Sequence, residues 1–143
     1  MPYFLECSGG FVYINTACYY LGSTAVSWYA ANATCNSLGA GVHLATISST
    51  TEQAAIVAYY GTSTSMWIGL NCIATHATSG TTGEVWVWAD GSTSTYTNWH
   101  IGEPNNAGED DNNLKEDCLQ ITPTGLNDIS CSAQTAFICE MNL

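Results

Sequence analysis

Two rhythms of apolar and polar residues run along the chain. Phe11-Val12-Tyr13 and Cys18-Tyr19-Tyr20 are short apolar runs on either side of a turn containing Asn15 and Thr16, and they predict a hairpin. From Ser27 the period lengthens. Trp28, Ala31, Cys35 and Leu38 recur at spacings of three and four, with Ser27 placed to cap a helix and Gly39 and Gly41 to stop it. A second helix is expected after His43 to Ile47, capped by Thr50 or Thr51, with Glu52 in its first turn, an apolar stripe of Ala55, Ile56 and Tyr59, and Gly61 at its end. Met66 to Leu70 reads as a short buried strand and Val85 to Trp88 as another, followed by a turn at Asp90-Gly91. Leu119 to Thr122 and Ala136 to Glu140 read as closing strands. Between Gly91 and Lys115 neither rhythm holds. So long an irregular run in a small domain is usually functional, which makes Asn98 to Glu116 the first place to look for a site.

Composition narrows the possibilities. The 143 residues are the length of a single domain, expected to span 1–143, and 46% apolar residues suffice to build its core. A net charge of -11, with 12 acidic residues against one Lys and no Arg, excludes nucleic acid and anionic membrane surfaces as partners. No apolar run approaches the roughly 20 residues that insert across a bilayer. Met1 to Gly10 lacks the basic start and apolar stretch of a signal peptide, so a mature or recombinant form is expected. The 7 cysteines include no CxxC pair and are accompanied by only 3 His, a poor basis for zinc. Scattered from end to end, they predict a disulfide framework and a secreted, extracellular protein, although spacing alone does not choose the pairing. Asn32-Ala33-Thr34, within the first expected helix, matches the N-glycosylation acceptor.

The acidic residues are concentrated. Glu103, Glu109, Asp110, Asp111, Glu116 and Asp117 crowd the irregular segment together with Asn105, Asn106, Asn112 and Asn113. Such hard oxygen donors repel one another unless they are solvated or hold a divalent cation, and calcium accepts roughly six to eight of them in a flexible geometry. A solvated acidic loop is the alternative, and residue order favours the metal. Trp28, Trp67, Trp86 and Trp88 sit on helix or strand patterns and are expected in the core, with Trp99 at the loop border. His43, His76 and His100 have no nucleophile in a catalytic arrangement.

Trp67-Ile68-Gly69-Leu70, then Trp99 with Gly102-Glu103-Pro104-Asn105, then Glu116-Asp117-Cys118, Asn127-Asp128-Ile129-Ser130-Cys131 and Phe137-Ile138-Cys139 follow one another in the order found in C-type lectin domains. The chain resembles that family over essentially its whole length. The resemblance implies an α+β, C-type lectin-like fold with two helices, small antiparallel sheets and a long calcium-binding loop, stapled by disulfides. It further implies the long form, pairing Cys7 with Cys18, Cys35 with Cys139 and Cys118 with Cys131. The second of these would close a loop of about 105 residues, which chain entropy makes worth about 4 to 5 kcal/mol.

By the same resemblance Ca2+ is held by Glu103, Asn105, Glu116, Asn127 and Asp128, and sugar hydroxyls complete its shell against Glu103, Asn105, Glu116 and Asn127. The order of Glu103 and Asn105 resembles the mannose-type arrangement, which implies glycans carrying mannose, fucose, glucose or N-acetylglucosamine over those carrying galactose. The implied protein is a binding module and not an enzyme, since calcium would keep Glu103 and Glu116 permanently ionised. The alternative is a lectin-like domain that recognises protein or ice instead of sugar. Some positions depart from the family. Leu126 stands where a Trp is usual, the segment from Asn106 to Lys115 is long, and Cys72 and Asn106 replace acidic residues of an auxiliary calcium site. Glu109, Asp110 and Asp111 are expected in solvent. Cys72, outside the implied pairing, is expected either to bridge a homodimer or to remain a buried thiol.

Overall fold

A computed structural model describes residues 7, 9–60, 65–73, 85–92 and 117–141. Among them the chain forms β1 (Val12–Ile14), β2 (Ala17–Val26), α1 (Trp28–Ser37), β3 (Val42–Leu44), α2 (Thr50–Tyr60), β4 (Met66–Asn71), β5 (Val87–Trp88), β6 (Cys118–Thr122), β7 (Gly125–Ile129) and β8 (Thr135–Met141). The fold is α+β. Its strands join in the order β1-β2-β8-β4-β6-β7, with β3 added to β8 and β5 to β4. Strand β8 unites them into one sheet. One of its edges runs along β2, and the other meets β4 in parallel at Ala136 and Phe137 and β3 in antiparallel from Cys139 to Met141.

Alternation along the strands supplies two cores. Tyr19, Ile68, Leu70, Leu119, Ile121, Leu126 and Ile138 pack with Ile56 of α2. Their neighbours Cys18, Trp67, Phe137 and Cys139 pack with Trp28, Ala31 and Cys35 of α1. Successive residues of a strand point to opposite faces, so each helix covers its own set. Strand β4 is buried throughout, as the run Met66 to Leu70 predicts, and the polar Asn71 at its end is buried with it. Trp28 Nε1 donates to Ile68 O at 2.9 Å and Trp67 Nε1 donates to Val26 O at 2.8 Å, so both indoles belong to the core as expected. Gly22 is needed where it stands: it faces Phe137 across the β2–β8 pair, and a Cβ there would collide with the ring.

Local expectations hold for α1 and shift for α2. Ser27 caps α1, its hydroxyl accepting from Ala30 N at 3.2 Å, but Leu38 is the C-cap and largely exposed instead of part of the buried stripe. Helix α2 is capped one residue earlier than expected. Ser49 Oγ accepts from Glu52 N at 3.1 Å, while Glu52 Oε1 accepts from Ser48 N at 3.2 Å, close to a capping box. That arrangement turns Glu52 and Gln53 inward with Ile56 and leaves Tyr59 exposed, overturning its place in the stripe. The strand expected over Val85 to Trp88 is confined to β5, because Val85 and Val87 face solvent. Strands β3 and β7 were not anticipated at all.

Three disulfides close the fold: Cys7–Cys18, Cys35–Cys139 and Cys118–Cys131, the same pairs that the family resemblance implies. Cys35–Cys139 ties α1 to β8 across 104 positions of sequence, the longest loop closed by any of the three disulfides. Cys72 stands outside the three disulfides as a thiol with no exposed surface.

Candidate functional site

The antiparallel β6–β7 hairpin carries the part of the expected site that lies among the described residues. At its tip Thr122 Oγ1 donates to Gly125 O at 2.7 Å, and Gly125 adopts a φ of 145° that an L side chain rarely takes. At its open end the Cys118–Cys131 bond brings the two Cα atoms to 5.1 Å. Pinned at both ends, the pair holds one register: Cys118 opposite Ile129, Leu119 opposite Asp128, Gln120 opposite Asn127 and Ile121 opposite Leu126.

This register sets what each side chain can do. Leu126 and Asp128, two residues apart, share a face, and both are fully buried. Leu126 packs in the larger core with Leu119 and Ile121, filling the space beneath the strand where the family's Trp is usual. Asn127 points the other way, half-buried opposite Gln120, which in turn pairs with Trp67 of β4. Just before the hairpin, the buried Asp117 accepts from Cys72 twice. Its carbonyl takes the Cys72 N–H at 2.8 Å and its Oδ1 takes the thiol at 3.6 Å. An interchain bond at Cys72 would have to open this contact, so of the two expectations for this residue the geometry favours the buried thiol.

Of the expected calcium ligands, Asn127 and Asp128 stand side by side on β7, while Glu103, Asn105 and Glu116 lie outside the described residues, as do Glu109, Asp110, Asp111 and Trp99. Among the described residues no group of three or more His, Cys, Asp or Glu is placed to hold a metal. The donors that β7 does offer fit calcium in kind. An amide oxygen, a carboxylate and backbone carbonyls are hard ligands of the kind calcium takes.

A second polar group had no signature in the apolar pattern. Glu140 of β8 faces Tyr19 on one side and His43 on the other, through the β2 and β3 registers. Its Oε1 accepts from Thr46 N at 3.0 Å, and Glu52 approaches from α2. Burial pushes the Glu140 carboxyl up to about 7; the Thr46 amide opposes the rise and the nearby Glu52 charge adds to it. Burial raises Glu52 as well, against the hydrogen bond from Ser48. The Tyr19 hydroxyl is buried beside Glu52 without meeting hydrogen-bond geometry, and burial followed by the two glutamates raises it far above the usual phenol range. His43 Nδ1 lies 2.7 Å from Leu44 O, so this nitrogen carries the proton, and Nε2 faces Asp90 Oδ2 at 3.9 Å. A separate open groove of about 410 Å³ between α2 and the Pro123-Thr124 turn is lined by no residue of the expected site.

Fold and hairpin together define a class. The family model of the lectin C-type domain matches residues 24–141. A C-type lectin, BfL-2 of Bungarus fasciatus, is 34% identical over 134 residues, covering 88% of this chain and 77% of its own; other curated relatives are longer, and the chain spans as little as 31% of them. Among solved structures, the carbohydrate-recognition domain of the human scavenger receptor C-type lectin superposes with a TM-score of 0.80 at 28% identity, covering 96% of this chain and 100% of that one. The cow CD23 C-type carbohydrate-recognition domain, determined in the presence of a GlcNAc2Man3 oligosaccharide, gives a TM-score of 0.78 at 26% identity, covering 96% of this chain and 97% of that one. The chain belongs to the C-type lectin domain family. It is accordingly a binding domain and not an enzyme.

Proposed function

We propose that this protein is a secreted, calcium-dependent lectin, a single carbohydrate-recognition domain over residues 1–143 whose site takes mannose-type glycans. The observation that carries the reading is the β6–β7 hairpin. It carries the adjacent Asn127 and Asp128, with Asp128 buried, in a register fixed by Cys118–Cys131, inside a C-type lectin domain whose sequence also supplies Glu103, Asn105 and Glu116. Calcium would be held by these five side chains and the Asp128 carbonyl. When bound, it supplies a hard cation whose remaining positions accept vicinal hydroxyls. The chain's own residues do the selecting. A carboxylate such as Glu103 accepts a hydrogen bond from a sugar hydroxyl, and an amide such as Asn105 or Asn127 donates one to the hydroxyl oxygen, so only hydroxyls with matching direction form both bonds. In this long form the Glu-Pro-Asn order favours mannose, fucose, glucose or N-acetylglucosamine over galactose.

A glycan array probed with calcium and again with excess chelator tests this reading. Mannose-type binding that disappears with chelator is expected, with free mannose competing at lower concentration than galactose. Glu103→Ala or Asn127→Ala should abolish the signal and Glu109→Ala should preserve it. Chelator-resistant binding, or recognition of protein or ice with no glycan signal, would overturn it.

A further inference from the structure

The first helix contains a feature that neither the fold nor the proposed site uses. Helix α1 buries Trp28, Ala31 and Cys35 and turns the opposite face outward, with Ala33 and Thr34 exposed and Asn32 half-buried at the border. Asn and Thr are poor helix formers because their side chains compete for backbone hydrogen bonds or lose rotamer freedom against the preceding turn. Here neither is repaid by tertiary structure. Asn32 makes no side-chain hydrogen bond among the described residues, and Thr34 Oγ1 only donates back to Ala30 O at 2.8 Å. One turn before Asn32 stands Tyr29, 53% exposed and held edge-on against Trp28 at 5.8 Å. Residues three apart on a helix are surface neighbours, so this ring lies where the apolar face of a first sugar residue on Asn32 would cover it.

We propose that Asn32 carries an N-linked glycan. Asn32-Ala33-Thr34 is the one Asn-X-Ser/Thr tripeptide in the chain. The modification is made on unfolded chain, and the topology keeps this segment unfolded for long enough. Cys35 is bonded to Cys139, 104 positions later, and although α1 packs chiefly on the nearby β3, neither the bond nor its contact with β8 can form until almost all of the chain has been made. At about 5 to 20 residues per second, that leaves the acceptor open for on the order of 5 to 20 seconds. In the folded protein the glycan would cover Tyr29 on a surface with few charged groups to keep it soluble.

The proposal rests on the extracellular reading, and one experiment separates the two. The chain is expressed behind a cleavable secretion signal in eukaryotic cells and the secreted protein is examined by electrophoresis and mass spectrometry. The expected result is a single mass increment removed by peptide-N-glycosidase F, with residue 32 converted to Asp. Asn32→Gln and, separately, Thr34→Ala should both abolish the increment while the protein is still secreted with its three disulfides closed. Secretion of wild-type protein with closed disulfides and an unmodified Asn32 overturns the glycan and spares the extracellular reading. Failure to be secreted with closed disulfides overturns both.

Discussion

Leu126 shows how one side chain can support the site without touching a ligand. It is fully buried, two residues before Asp128 on the same face of β7, so shortening it would open space directly beneath the strand that carries the proposed ligands. Leu126→Ala should lower stability by about 2 to 5 kcal/mol, and the loss is read from urea denaturation with calcium chelated. Calcium affinity should fall as well, because a cavity lets the strand relax out of register; unchanged affinity in the destabilised variant would dissociate packing from the site. At this scale the sequence was legible where chemistry is conspicuous. Trp28 and Trp67 were placed in the core by their periodic spacing, and the order of Asn127 and Asp128 picks them out as proposed ligands. Glu52, Gln53 and Glu140 were not, because a polar side chain buried by cross-strand neighbours leaves no trace in an apolar period.

Among the elements, the junction of β2, β8, β3 and α2 governs the response to pH. Glu140 holds its proton to about 7 in the folded chain, against an ordinary value of 4.5, chiefly because it is buried. Between those values the folded protein binds more protons than the unfolded one. Stability is therefore greatest at the acidic end and is lost as pH rises, on the order of 2 to 3 kcal/mol across the interval for Glu140 alone, the opposite of a salt-bridged carboxylate. Glu52, also raised by burial, contributes with the same sign. Glu140→Gln should flatten the slope of unfolding free energy against pH in this range; an unchanged slope would mean that the carboxyl is ionised in the folded state. Strand β7 escaped the sequence reading for a related reason. Asn127 and Asp128 interrupt the apolar alternation, so the proposed ligands themselves hide the strand, and its pairing with β6 becomes visible only once both strands are set in register. Strand β3 escaped by brevity: its three residues, all buried, gave no period to read.

The molecule as a whole depends on three disulfides and, in the proposed reading, on a cation. If calcium binds the folded chain alone, chelator should lower the melting temperature, with about 2.7 kcal/mol at stake at a hundredfold excess over Kd. Cys72, buried against Asp117, should leave the secreted protein monomeric on non-reducing electrophoresis; a dimer abolished by Cys72→Ser would show that the end of β4 opens. The staples also decide how the domain answers a pull on its two ends. Tension entering at Cys7 crosses directly to Cys18, and from Cys35 it crosses to Cys139, two residues before Met141. Only the stretch from Cys18 to Cys35 lies on the load path, an extension on the order of 60 Å at about 3.5 Å per residue. Everything between Cys35 and Cys139, including the Cys118–Cys131 hairpin, hangs inside a covalent ring that carries no load. In a pulling experiment the oxidised domain should therefore lengthen by that one short step while its hairpin stays folded, and reduction should release the rest.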